Sequence, residues 1–260
     1  MLAMGIRNIE FVNGEYYHVF NRGVDKRSIF SNKSQQAFFF NRLQLLNTTD
    51  NTKYFNNQRN KYKDKDINGI GEQLVSIVAY SLLPNHYHLL LKQEVDNGIS
   101  QFMQRLGTSY TMFFNQEEKR SGGLFQGKFK ATHLSGEYAL PTVSAYVNLN
   151  HKHHGIDPNN NLVKSSIFEY LDQEMGTSIC SPTEIQNIIT ESGGLTDYKA
   201  YIKQASIAFA DNKSRSLNVD DFELLLDVGA ADIHYAKGAT LPLCGPMTVA
   251  TIDVRHLRVL

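Results

Sequence analysis

The 260-residue chain has no tryptophan, two cysteines, no long apolar run and no net charge, its 26 Lys+Arg balancing 26 Asp+Glu. Each shortage excludes something. Cys180 and Cys244 supply neither a disulfide framework nor a cysteine metal cluster. The longest apolar stretch, Leu74 to Leu83, is interrupted by polar residues and too short to cross a bilayer, so no membrane association is expected. The opening residues, MLAMGIRNIEFVNGE, lack the apolar core of a signal peptide, and a cytoplasmic location is expected. A net charge of zero, taken alone, argues against a nucleic-acid binder.

That balance conceals a division. Residues 1–155 hold 18 Lys+Arg against 12 Asp+Glu, and residues 156–260 hold 8 against 14, giving +6 and −6. Such a division suits a first part that meets a polyanion and a second part that does not; chance scatter of surface charge is the other reading. At 42% apolar residues the chain can bury a substantial core in one or two domains.

EYYHVFNR (15–22) mixes aromatic and β-branched residues and predicts a strand, with a turn at Gly23 and Asp25. SQQAFFFNRLQLL (34–46) predicts a helix with Phe38, Leu43, Leu45 and Leu46 among its apolar positions. Residues 47–72, rich in Asn, Lys and Asp, predict a long loop, either a solvated insertion or one whose lysines touch phosphates. QLVSIVAYSLL (73–83) and HYHLLLKQ (86–93), separated by Pro84-Asn85, predict an antiparallel hairpin. Residues 98–115 place Ile99, Phe102, Met103, Leu106, Tyr110, Phe113 and Phe114 at helical spacing, with Ser100 as a candidate cap. Residues 124–134 predict a fourth strand, and 137–150 a helix with Pro141 in its first turn.

The order is therefore β-α-β-β-α-β plus a helix, an α+β ferredoxin-like antiparallel sheet. We expect a first domain at 1–156. An acidic helical appendage follows at 157–236, with helices in SPTEIQNIITESGG, TDYKAYIKQASIAFA and DDFELLLDVGA. Residues 237–260 carry neither period nor charge pattern and are expected to be a disordered or non-native tail.

Two features bear chemistry. His86 and His88 are i and i+2 on a strand and project to one face, with Tyr87 opposite. Such a pair suits a divalent cation whose shell something else completes, or else two hydrogen-bonded histidines at a strand end. In SAYVNLNHKHHG, Tyr146 and Asn150 are i and i+4 on one helical face. A tyrosine and an amide oxygen beside two imidazoles make a phosphoryl-transfer constellation; a core tyrosine is the plainer alternative. His151, His153 and His154 form a cluster that reads either as metal-binding or as a solvated helix end stabilising C-terminal carbonyls. His18 and His133 lie on the strands expected to neighbour that pair. Tyr110 falls in the apolar stripe of its helix and is read as core.

The blocks YHVFNRGVDKRSIF, LLPNHYHLLL, GISQFMQRLGTSYTMFFN, GGLFQGKFKATHL and AYVNLNH stand in an order that resembles the HUH-type single-tyrosine transposases, the REP-associated tyrosine transposases among them. The resemblance covers residues 14–156 and, more faintly, 198–204. It implies that His86 and His88 bind metal, that Tyr146 is the nucleophile and that Asn150 is the third ligand. It also implies Mg²⁺ or Mn²⁺, a covalent 5′-phosphotyrosine and a free 3′-OH that later attacks it. Two positions depart from the family: its usual Asn-Pro is Asn150-His151 here, and Tyr87 stands where an aliphatic residue is usual.

The implied function is nicking and rejoining of single-stranded DNA at hairpin-forming repeats, by a monomer or homodimer associated with the bacterial nucleoid. Arg22, Arg105, Lys119, Arg120, Lys128 and Lys130 are expected to contact the DNA backbone, where each neutralised phosphate releases counterions. The alternatives are a related replication initiator or metal-dependent phosphodiesterase, and a DNA-binding regulator without catalysis.

Overall fold

The computed structural model describes residues 9–50, 71–135, 139–157, 159–171, 178–214, 240–241 and 250–251. The expected helix over DDFELLLDVGA and most of the 47–72 insertion lie outside them. Five strands form one sheet: β1 (Tyr16–Arg22), β2 (Val75–Leu83), β3 (His86–Gln93), β4 (Lys130–His133) and the short β5 (Lys164–Ser165). Their order is β4-β1-β3-β2-β5, with every pairing antiparallel. Helices α1 (Lys33–Leu45) and α2 (Gly98–Glu117) are the two crossovers of the ferredoxin-like unit. Five more follow: α3 (Ala139–Asn148), α4 (Asn150–His153), α5 (Ile167–Leu171), α6 (Pro182–Glu191) and α7 (Leu195–Ser214).

Local chemistry sets the ends of these elements. Asn32 caps α1 by accepting from Gln35 N at 2.9 Å, and Ser181 caps α6 just before Pro182. Ser100 does not cap α2; the N-cap is Asn97, and Gly98 begins the helix. A Cβ at Gly98 would sit 2.2 Å from the Leu74 carbonyl oxygen, so only glycine lets the helix start so close to β2. The fourth strand is shorter than the sequence suggests. Gly127, at φ 142°, turns the chain, and residues 124–129 run irregularly, joined to Gly23 by one bridge at Phe125. The base of the insertion is pinched shut, with Thr49 N donating to Glu72 O at 2.8 Å.

Both faces of the sheet are covered, which is why β2 and β3 read as nearly unbroken apolar runs. One face carries Tyr87, which packs on Phe39 of α1, and Phe39 in turn packs on Tyr110 of α2. The Tyr110 hydroxyl donates to the Ile29 carbonyl, a structural role. The other face lies under α3 and the C-terminal helices. A β-bulge at Val78 lets the β2 backbone reach them: Tyr170 OH donates to Val78 O at 2.7 Å, and Ser181 N to Ile77 O at 2.8 Å. Glu184 of α6 is buried on this face, accepting from Lys92 Nζ at 2.9 Å and Tyr16 OH at 2.6 Å. Tyr170, Ile188 and Tyr198 share one core with β1–β4. In the tail, Thr240–Leu241 pairs with Ala250–Thr251. No helix among the described residues is long and apolar enough to cross a membrane.

Candidate active site

Two periodicities meet at the site. Alternation along β3 sends His86 and His88 to the face opposite Tyr87. The register adds His18, Phe20 and Arg22 of β1, since Phe20 pairs with His88 and Arg22 with His86. From above, helical spacing brings Tyr146, Asn150 and His154 down one stripe, a turn apart. The expected single helix is broken at Leu149, which has φ −104° and ψ 12°. The stripe survives because Leu149 N still donates to Ala145 O at 2.9 Å and His154 N to Asn150 O at 3.1 Å.

His86 sits between two amide oxygens. Its Nδ1 lies 2.6 Å from Asn85 Oδ1, and its Nε2 lies 3.0 Å from Asn150 Oδ1. Asn85 Nδ2 donates to Lys26 O at 3.4 Å, which keeps Oδ1 turned to the imidazole. The ring proton therefore belongs on Nδ1, and the Nε2 lone pair points toward the oxygen of Asn150. Burial, with the Arg22 charge adding to it, pushes the His86 pKa down to about 4, so an imidazolium does not relieve this contact. Asn150 Nδ2, meanwhile, is buried without a hydrogen-bond partner. Two converging lone pairs 3.0 Å apart match neighbouring ligands of one ion, since bonds of about 2.1 Å at right angles end about 3.0 Å apart. Turned over, the amide would instead donate to Nε2, the arrangement suited to the ion-free state.

His88 is fully buried and stacked between His18 and Phe20, with centroids at 5.0 and 5.4 Å. Its Nδ1 lies 2.8 Å from His18 Nε2. Burial holds both imidazoles neutral, pushing His18 down to about 3 and His88 well below its ordinary value. One proton therefore joins the pair. Placed on His88 Nδ1, it leaves a lone pair on Nε2 that could ligate a cation, and His18 would fix that tautomer. His18 Nδ1 and Ser81 Oγ, opposite His88 on β2, are buried polar atoms without partners.

The Tyr146 ring stands edge-on to both histidines, 5.6 Å from His88 and 5.7 Å from His18, and is 1% exposed. His153 packs 5.7 Å from its other side. The sequence places the 151–154 cluster at a solvated helix end or in a metal site; the structure buries His151 and His153, excluding the solvated reading for them. His154 approaches His86, with centroids 4.4 Å apart. The signal for His154 was the i, i+4, i+8 spacing from Tyr146. His133 faces away, because it pairs with Tyr17 rather than His18, and it contacts Glu15 at 3.1 Å.

The basic candidates divide between two regions. Arg22 and Lys130 border the histidine face, with Lys130 Nζ 5.5 Å above the Phe20 ring. Arg105 lies on α2, donating to Thr48 O and to Gln101 Oε1. Arg120 braces the turn after α2 through Asn115 Oδ1 and Gly123 O, next to exposed Lys119. Lys128 lines a groove of about 760 Å³ between α2 and residues 123–129, together with Tyr87, Phe125 and Phe129.

Residues 41–150 match the family described as Transposase IS200 like. Among solved structures, a REP-associated tyrosine transposase bound to a REP hairpin matches with 13% identity and a TM-score of 0.45, over 68% of this chain and 94% of that one. No curated protein matches. The matched segment, which carries His86, His88, Tyr146 and Asn150, is similar to the IS200-like transposases.

Proposed function

We propose that the protein is a metal-dependent single-stranded DNA endonuclease and strand transferase that forms a 5′-phosphotyrosine at Tyr146, acting at hairpin-forming repeats. The observation that carries this reading is the 5.6 Å approach of the Tyr146 ring to His88, on the face where His86 meets Asn150. His86, His88 and Asn150 would hold a divalent ion, which supplies a positive centre for a phosphodiester oxygen. Burial keeps the two imidazoles neutral and able to ligate. The Tyr146 oxygen bonds to phosphorus as the P–O3′ bond breaks, and the departing 3′ oxygen takes up a proton. Return attack by that 3′-OH reverses the exchange, so rejoining needs no external energy source. Arg22 and Lys130 hold flanking phosphates. Lys128 and the aromatic groove beside it suit an adjoining single strand. Because phenol and imidazoles meet within one chain, a monomer suffices.

A second reading, a DNA-binding regulator without cleavage, is favoured by the burial of Tyr146, since a strand reaches the phenol only if the groups covering it move. Labelled oligonucleotide hairpins incubated with Mn²⁺ and run on a denaturing gel separate the two. A protein-linked band supports the transposase. Hairpin binding with no such band, surviving chelation, supports the regulator.

A further inference from the structure

We propose that His154 is a third imidazole ligand at this site, and that the site therefore selects a borderline transition ion, of the manganese, cobalt, nickel or zinc class, over Mg²⁺. This rests on the reading of His86 and His88 as ligands. One ring nitrogen each of His86, His88 and His154 lie within 4.8 Å of one another. Three donors on one ion at about 2.1 Å stand about 3.0–3.6 Å from one another, so a side-chain rotation of about an ångström or somewhat more closes the set. The backbone holds His154 in place: it is the C-cap of α4, its N–H donates to Asn150 O, and Gly155 at φ 58° ends the helix directly after it. His154 consequently shares the face of Asn150 and Tyr146, over His86.

The donor chemistry decides the ion. Among the described residues the set is three imidazole nitrogens and one amide oxygen, with no carboxylate. Mg²⁺ demands oxygen and keeps its waters, whereas imidazole suits the later first-row ions. With no carboxylate to neutralise it, the ion keeps its full charge for a phosphate. A His154 that merely met the last carbonyls of α4 would have no bearing on metal choice.

The test uses the full-length protein stripped with chelator and titrated with Co²⁺ or Mg²⁺ by calorimetry, with proton NMR of the cobalt form. The expected wild-type preference for Co²⁺ over Mg²⁺ is about 100-fold or more. His154→Ala, and His154→Gln as the bulkier variant, should lose about 10- to 100-fold in Co²⁺ affinity while keeping the far-UV spectrum. The hyperfine-shifted imidazole N–H signals should fall from three to two. Unchanged cobalt affinity and signal count in both variants, while His86→Ala abolishes binding, overturns the role of His154 and leaves the two-histidine site standing. Cobalt binding unaffected by His86→Ala, or absent from the wild type, overturns both.

Discussion

His86 Nε2 and Asn150 Oδ1 face each other at 3.0 Å, two acceptors brought together from positions 64 residues apart in the chain. Because Asn85 holds the only ring proton on Nδ1, the contact is relieved by a cation or by rotation of the Asn150 amide. Asn150→Asp removes the second option and adds charge. It should raise divalent-ion affinity about tenfold or more, because a carboxylate is the harder and more basic ligand. It should also lower the stability of the ion-free protein, since the carboxylate is buried. Asn150→Ala should weaken ion binding. Calorimetric titration and melting with and without chelator read both effects; equal affinity in the two variants would remove Asn150 from the ligand set.

Tyr146→Phe deletes one oxygen and leaves the ring contacts to His18, His88 and His153 in place. The variant should fold and bind hairpin DNA like the wild type. It should form no covalent adduct, since the oxygen proposed as nucleophile is gone. A denaturing gel beside a binding isotherm separates the two properties. Cleavage at the wild-type rate would reject Tyr146 as nucleophile.

Much of this geometry was legible in the sequence. The i, i+2 spacing of His86 and His88 and the i, i+4 spacing of Tyr146 and Asn150 each determine a shared face, because strand and helix periods do not depend on the rest of the fold. The ferredoxin-like arrangement of β1 to β4 followed from alternation of elements and the short hairpin at Pro84-Asn85, whereas the short edge strand β5 lies in a segment read as helical. What the spacing could not supply was pairing register. His18 and His133 look equivalent in the sequence, yet register sends His18 to His88 and His133 to the other face. Which of the two readings holds for the histidines after Asn150 was undecided for a related reason. Burial of His153 depends on where helices far along the chain return over the sheet, and local pattern contains no such information. The irregular run before β4 was obscured by Gly127, whose φ of 142° interrupts a stretch of good strand formers.

The three face histidines make stability fall in acid. Folding lowers the pKa of His18 to about 3, of His86 to about 4 and of His88 well below its ordinary value, chiefly through burial. An unfolded histidine titrates near 6.5, so between these values the unfolded chain holds more protons. Stability therefore rises with pH in that window, is fully present above the unfolded pKa, and is lost as pH falls toward the folded values. Each histidine contributes a slope of up to about 1.4 kcal/mol per pH unit. Urea unfolding in chelator at pH 7, 6 and 5 should show a falling midpoint, and His18→Phe should make the fall shallower. A midpoint constant from pH 7 to 5 contradicts the assignment.

The two groups of basic residues predict different salt behaviour. Lys130 borders the histidine face across from Phe20, where the phosphate next to the cleavage point would run. Arg105 spends its guanidinium on Thr48 O and Gln101 Oε1, tying α2 to the base of the insertion. A phosphate contact releases counterions and steepens the dependence of affinity on salt; a brace on the protein's own backbone does not. Lys130→Ala should therefore weaken hairpin binding and reduce the slope of log affinity against log salt by about one. Arg105→Ala should leave that slope unchanged while lowering the melting temperature, because a buried-side anchor to the 47–50 segment is lost. The measurement is a binding isotherm at several salt concentrations for each variant, with a thermal melt beside it. The opposite pattern, a slope that changes for Arg105 and not for Lys130, would move the DNA path to the α2 side of the sheet, toward Lys128 and its aromatic groove.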